Sequence, residues 1–391
     1  MIVGRISGFR SRNLSNPLFP YFCLTLHTPY REYIHSFPMP AQTVSQQVAN
    51  IPVFFILGRP RSGTTLLRTL FDAHPNVATP VECAFIINMR QKYAGITHWS
   101  KELLLEFHED VQKHIKFDTW NIDLDRMKAD LQDCAGENTF QNICKVVYFD
   151  YISLFPKEEI KWIGDKNPVY ATYTPELLKL FPDSKFIHLV RDPRDNIISL
   201  KNVDFEGPFT ALLAYRWVHS ARKLFHIKKK YPGKFYTIRY EDLVTEPQRY
   251  YREMCDFLSI PYNDIVFDFY KKQGEAMQKF NIEKMMKYHK SLFSPINNSK
   301  VNLWKTQLPD RDIRITEFVA GKWTRKYGYE RKYRHAGLKA VVVSIPWLIY
   351  GRSLYLLRDF IDLFPFKLKI AIKNRGPVLA RTFVKLRNPD S

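Results

Sequence analysis

The sequence predicts an α/β fold, a parallel sheet flanked on both faces by helices. Three observations predict it. Short runs rich in apolar, aromatic and β-branched residues recur at residues 51–57, 185–190 and 235–238, as in strands buried on both faces. Segments with apolar residues at helical spacing separate them. A turn containing two glycines, Gly58 and Gly63, follows the first run and leads into a helix.

In chain order, Ile51-Pro-Val-Phe-Phe-Ile-Leu57 reads as the first strand. Thr64 to His74 reads as a helix, with Leu66, Leu67, Leu70 and Phe71 at helical spacing. Residues 100–157 read as a largely helical cap over the sheet, and Trp162 to Gly164 as the end of a short strand. Pro175 to Leu180 is expected to be helical, Lys185 to Val190 a strand, and Pro193 to Leu200 and Thr210 to Tyr231 helices. Phe235 to Ile238 reads as a strand. Glu246 to Leu258 and residues 309–327 are expected to be amphipathic helices. No internal repeat is visible.

The 391 residues allow one large domain with appendages. The expected division is an N-terminal extension over 1–48, a catalytic domain over 49–328, and a basic, apolar, helical C-terminal extension over 329–391. Residues 1–38 are acid-poor and lack the apolar centre of a signal peptide. A disordered extension, or a start at Met39, fits them better than a transit peptide. The net charge is +20, but residues 321–391 alone hold sixteen basic against four acidic residues, a net +12. Anionic partners are expected, and much of the charge belongs to the tail rather than to a cleft. No recognition motif for nucleic acid is present. Five cysteines without a CxxC pair argue against a disulfide framework and a zinc site, and for free thiols in a reducing compartment. With Pro346, Pro365 and Pro377 dividing the tail, no apolar run is expected to reach the roughly 18–20 residues of a membrane span.

Gly58-Arg-Pro-Arg-Ser-Gly-Thr-Thr65 lies between a strand and a helix, where backbone N–H groups and the helix dipole favour a phosphate. The two glycines fit the spacing of GxxxxGK[ST], but Thr64 stands where that motif has lysine. A nucleotide kinase or NTPase, the alternative reading, loses its main β/γ-phosphate contact there. Arg61 supplies a charge, Gly63 close backbone approach, and Ser62, Thr64 and Thr65 hydroxyls. A second run, Phe186 to Leu200, puts Arg191 at a strand end and Ser199 two helical turns later, so the pair can grip one phosphate from two sides. Arg194 and Asp195 read as a structural ion pair or helix-start charges.

These segments resemble the family of sulfotransferases that use 3′-phosphoadenosine 5′-phosphosulfate (PAPS), whose fold is P-loop-like. The resemblance covers roughly Pro52 to Gly328. It is nearest to the tyrosylprotein-sulfotransferase-like and bacterial branch, on the phrases Arg61 to Pro75 and Gly164-Asp-Lys-Asn-Pro168. It implies sulfuryl transfer from PAPS to a hydroxyl of a glycan, lipid or peptide tyrosine. It implies that Arg61 and residues 62–65 hold the phosphosulfate, that Arg191 and Ser199 hold the 3′-phosphate, and that Tyr240 lies beside the adenine. Lys166 would stabilise the transferring group, Glu82 would be the base, and Lys300, in Ser299 to Lys305, would belong to a loop closing over the donor. No metal is required by this scheme. The relatives carry two consecutive acids where this chain has Val81-Glu82, which weakens the peptide-tyrosine reading. Arg59 and His289 are lesser candidates.

A cytoplasmic, bacterial-type protein is expected. Peripheral contact of its basic, apolar tail with an anionic membrane would make it membrane-associated.

Overall fold

The computed structural model describes residues 42–204, 206–276 and 290–365, with 368 and 371. Its centre is a five-stranded, all-parallel sheet in the order β2-β5-β1-β6-β7. The strands are β1 (Val53–Leu57), β2 (Val77–Ala78), β5 (Trp162–Lys166), β6 (Lys185–Val190) and β7 (Phe235–Arg239); β3 (His98–Trp99) and β4 (Gly136–Glu137) form a separate antiparallel pair. All five residues of β1 are buried. Val53, Phe55 and Leu57 enter one apolar cluster, and Phe54 and Ile56 enter the cluster on the opposite face. This alternation is what a strand covered on both sides requires. Phe55, Phe186 and Phe235 stack across β1, β6 and β7 at 5.4 and 4.8 Å.

The helices are α1 (Val44–Ala49), α2 (Thr64–Asp72), α3 (Phe85–Tyr93), α4 (Lys101–Gln112), α5 (Leu124–Gln132), α6 (Phe140–Phe149), α7 (Thr174–Leu180), α8 (Pro193–Lys201), α9 (Thr210–Lys230), α10 (Tyr240–Thr245), α11 (Pro247–Leu258), α12 (Phe269–Ala276), α13 (Asp310–Lys326) and α14 (Leu338–Ile361), with a single turn at Trp304–Gln307. Pro193 sits at the start of α8, where its missing N–H costs nothing, and Asp192 caps the helix by accepting from Arg194 N.

Three expectations change. Residues 42–48 are not part of an extension. Thr43 and Gln46 form a capping box, and Val48 is buried in the main core. Asn142 donates to Ser45. The segment after residue 100 shares one apolar cluster with the sheet rather than lying over it as a separate cap, and residues 152–161 are not helical. The tail also differs. α14 runs unbroken through Pro346 for 24 residues, with a mean hydropathy of 1.5 over its most apolar stretch, long and apolar enough to cross a membrane by length and composition. The residues around Pro346 keep the helix because it is packed against the domain: Trp347 stacks on Phe209. One proline removes only one backbone hydrogen bond.

Candidate active site

Every strand of the main sheet delivers a residue to its C-terminal edge, the edge where open α/β sheets bind ligands. The loop with Arg61 follows β1, Lys166 ends β5, Arg191 follows β6 and Tyr240 follows β7. Glu82 lies shortly after β2.

The loop geometry depends on its glycine. Gly63 has φ 90°, and a Cβ there would meet the Tyr240 ring at 2.4 Å. It caps α2 with no side-chain hydrogen bond, which leaves the amides of the first turn for a ligand. Arg61 also holds a left-handed backbone, φ 66°, a costly state for a residue with a Cβ. The loop is braced from α8: Asn196 Nδ2 donates to Pro60 O at 2.8 Å and to Ser62 Oγ at 3.3 Å.

The cations converge. Arg61 Nε donates to Ser199 Oγ at 3.0 Å. Arg191 donates through Nη1 to Arg61 O at 2.9 Å and through Nη2 to Lys300 O at 2.7 Å. Its guanidinium lies 4.6 Å from the Tyr240 ring centre. Arg191 is 4% exposed, yet its Nε has no hydrogen-bond partner, and a buried donor left unmade is costly. Burial, then Arg61 and Arg191, pushes the Lys300 ammonium below its usual pKa. An anion would relieve all three at once, so the residues present fit a phosphate-bearing donor. Thr64 is buried at the start of α2.

Glu82 and Lys166 form a second centre. Lys166 Nζ donates to Glu82 Oε1, and also to Thr65 Oγ1 at 3.3 Å, so it bridges the loop and the carboxylate. Lys116 donates to Glu82 Oε2. Burial would raise the Glu82 carboxyl, but Lys166 and Lys116 outweigh it and hold the pKa at about 2. Lys166 does not pair with Asp165, which accepts instead from Tyr148 Oη at 2.6 Å and Asn167 Nδ2 at 2.8 Å. Glu82 is not a free loop glutamate either. Its loop is pinned by Trp120 Nε1 donating to Val81 O at 2.9 Å and by Arg68 Nη1 donating to Thr79 O at 3.2 Å.

Several residues here carry no motif. Lys116 sits on a left-handed backbone, φ 74°, between α4 and a 3-10 turn. Asp195 does not pair with Arg194. It accepts from Asn302 N and Trp304 N, both at 2.8 Å, and so ties down the chain that carries Lys300. Arg194 pairs with Asp192 and Glu317 and stacks on Trp304. Arg59, within the loop, pairs with Glu206 at 3.4 Å, and Glu206 also binds Arg216. His289 lies outside the described residues. Among the described residues no group of three His, Cys, Asp or Glu is placed to hold a metal.

The fold is that of a P-loop-like α/β protein, with the cations Arg61, Arg191 and Lys300 gathered at its strand ends. A sequence model of the Sulfotransferase family matches residues 52–264, more than half of the chain, and the chain belongs to that family. It is 25% identical to protein-tyrosine sulfotransferase 1 of Danio rerio, over 72% of this chain and 73% of the relative. It is 28% identical to the protein-tyrosine sulfotransferase of Drosophila melanogaster, over 71% of this chain but only 52% of that protein's length. Among solved structures, the sulfotransferase domain from the curacin biosynthetic pathway is 24% identical, with a TM-score of 0.48 over 72% of this chain and 98% of that one. The sulfotransferase domain of the Synechococcus PCC 7002 olefin synthase is 19% identical, with a TM-score of 0.49 over 71% and 95%.

Proposed function

We propose that this chain moves a sulfuryl group from PAPS to a hydroxyl acceptor. The observation that carries the reading is the cluster of Arg61, Arg191 and Lys300 at the first turn of α2, with a buried, unpartnered Arg191 Nε. PAPS supplies an activated sulfate on a phosphate leaving group. Residues 61–65 hold the phosphosulfate, and Arg191 with Ser199 holds the 3′-phosphate. Arg61 already hydrogen-bonds Ser199, so one arginine spans both ends of the donor site. Tyr240 acts mainly by shape, filling the space between Gly63 and Arg191. Fixed cations stabilise charge on the leaving oxygen.

Lys166 is placed to neutralise the transferring group, beside Thr65 and Glu82. Glu82 takes the acceptor proton. With its pKa near 2, it accepts that proton only as the new O–S bond acidifies the hydroxyl and the S–O bond to phosphate breaks. The proton then passes to solvent. Arginines, lysines and backbone amides provide the positive charge that nucleotide kinases draw partly from Mg²⁺.

The acceptor is a hydroxyl compound. The names of the relatives make peptide tyrosine the first to test, and the single acid at Val81-Glu82 favours a panel that includes glycans and lipids. The buried free thiols of Cys83, Cys134, Cys144 and Cys255 support a reducing, cytoplasmic setting.

Thermal-shift titration with adenosine 3′,5′-bisphosphate against ADP with Mg²⁺ tests the reading. The bisphosphate should stabilise the protein, and Arg191→Ala should abolish that shift. Stabilisation by ADP–Mg²⁺ alone would overturn it in favour of a nucleotide kinase.

A further inference from the structure

α14 turns its most apolar face away from the protein. Its inward face is small and aromatic. Ala340, Ser344 and Gly351 are buried, and Gly351 lies so close to α9 that a Cβ would meet Tyr215 at 2.6 Å. Trp347 stacks on Phe209 and Tyr355 on His219, each with ring centres 3.6 Å apart. Just past its C-terminus, Asp362 accepts from Tyr173 Oη and, through its carbonyl, from Gln91 Nε2. The helix is therefore fastened along its length to the domain. A helix of 24 residues spans about 36 Å.

The outward face carries Val342, Ile345, Ile349, Leu356 and Phe360, continued by Leu363 just past the helix end, and these are between 48% and 79% exposed. They recur at steps of three, four or seven and so form one stripe. Surface helices in water show the opposite pattern. The position skipped in the stripe is Arg352. Residues 363–391 add seven basic residues against one acid.

A cavity of about 470 Å³ opens beside the stripe, between α14 and α9. Arg222, Lys223, Arg352, His219 and Tyr355 line it, and so does Leu356 of the stripe. Among the described residues Arg222 and Arg352 have no ion-pair partner. Both ring nitrogens of buried His219 lack a hydrogen bond. The one acid lining the cavity, Asp359, is paired with Arg358. Unpaired cations and an unsatisfied imidazole suit a phosphate, and the adjoining stripe suits acyl chains.

We propose that α14 docks this protein on an anionic bilayer, lying in the plane of the interface. Its stripe enters the acyl boundary and the cavity takes the phosphate of an anionic phospholipid. The inference does not depend on the catalytic reading, because its assay reads binding alone.

Flotation of the full chain with phosphatidylcholine vesicles, with and without phosphatidylglycerol, tests it. The protein should float with the anionic vesicles only, and less in high salt. I349E/L356E should cut the floated fraction about tenfold at an unchanged melting temperature. If that variant melts early, I349S/L356S serves instead. R222A/R352A should weaken binding and flatten its salt dependence. Flotation with neither vesicle, or equally with both, overturns the proposal. So does a dimer in sedimentation velocity that I349E/L356E dissolves without any vesicle binding, which would make the stripe a contact between copies.

Discussion

Lys116 donates to Oε2 of Glu82 from a strained, left-handed backbone, while Lys166 occupies the other oxygen. The carboxylate therefore carries two counter-charges in this state. Its pKa of about 2 is set by that pairing against burial. A group so depressed stays ionised throughout the physiological range, and its ion pairs weaken only as pH falls towards 2.

Lys116→Gln should keep bisphosphate binding and release part of this hold. With one counter-charge gone, the Glu82 pKa should climb towards the ordinary carboxylate value of about 4.3. The acid limb of the kcat profile for sulfuryl transfer should move up with it. A limb that stays in place would show that Glu82 is not the group titrating, and Glu82→Gln should then turn over normally.

Gly63→Ala should cost about 1–2 kcal/mol from its left-handed backbone alone, and more from the Tyr240 ring. Urea denaturation in the Tyr240→Ala background separates the two. There the cost should shrink to the backbone part, and an undiminished cost would mean that the ring is not what excludes a side chain.

Asp195→Ala should leave the amides of Asn302 and Trp304 without an acceptor, at about 1–3 kcal/mol each. It should also weaken bisphosphate binding, because the chain bearing Lys300 loses its tether. Asp195→Asn keeps an acceptor and should recover part of both losses. Calorimetric titration of the three proteins checks this, and unchanged affinity in Asp195→Ala would detach the tether from donor binding.

His188, in β6, is 3% exposed, and burial, with Lys228 nearby, lowers its pKa to about 3. The folded protein thus refuses a proton that the unfolded chain accepts below about 6.5. Stability should fall by about 1.4 kcal/mol per pH unit on this account as pH drops from 6.5 towards 3. His188→Phe should lack that component. Urea midpoints at pH 7 and pH 5 measure it, and equal pH dependence in the two proteins would contradict it.

Much of this was legible in the residues. Lys185 to Val190 reads as a strand to the residue, because an apolar run ends abruptly at Arg191. The loop from Gly58 to Thr65 shows its place between strand and helix through the spacing of its two glycines. The capping box of α1, Thr43-Val-Ser-Gln46, was an available signal that the surrounding turn formers obscured. Lys116 had none, since only the packing of an intervening segment brings it to Glu82. Asp195 reads as a partner for Arg194, its neighbour in the sequence. Its actual partners lie over a hundred residues away. Pro346 suggests a break in the tail that packing against the domain overrides.

Arg191 joins the carbonyls of Arg61 and Lys300, which lie 130 and 109 residues from it in opposite directions. That gives donor binding a place in the order of synthesis. A nascent chain acquires the phosphate loop early and the strand-end arginine next, so Arg191 can first reach Arg61 O, but its second carbonyl arrives only once residue 300 has left the ribosome. The last of these contacts should therefore form late, and a translation product stopped short of Lys300 would carry the recognisable motifs without the carbonyl that holds Arg191 from its second side.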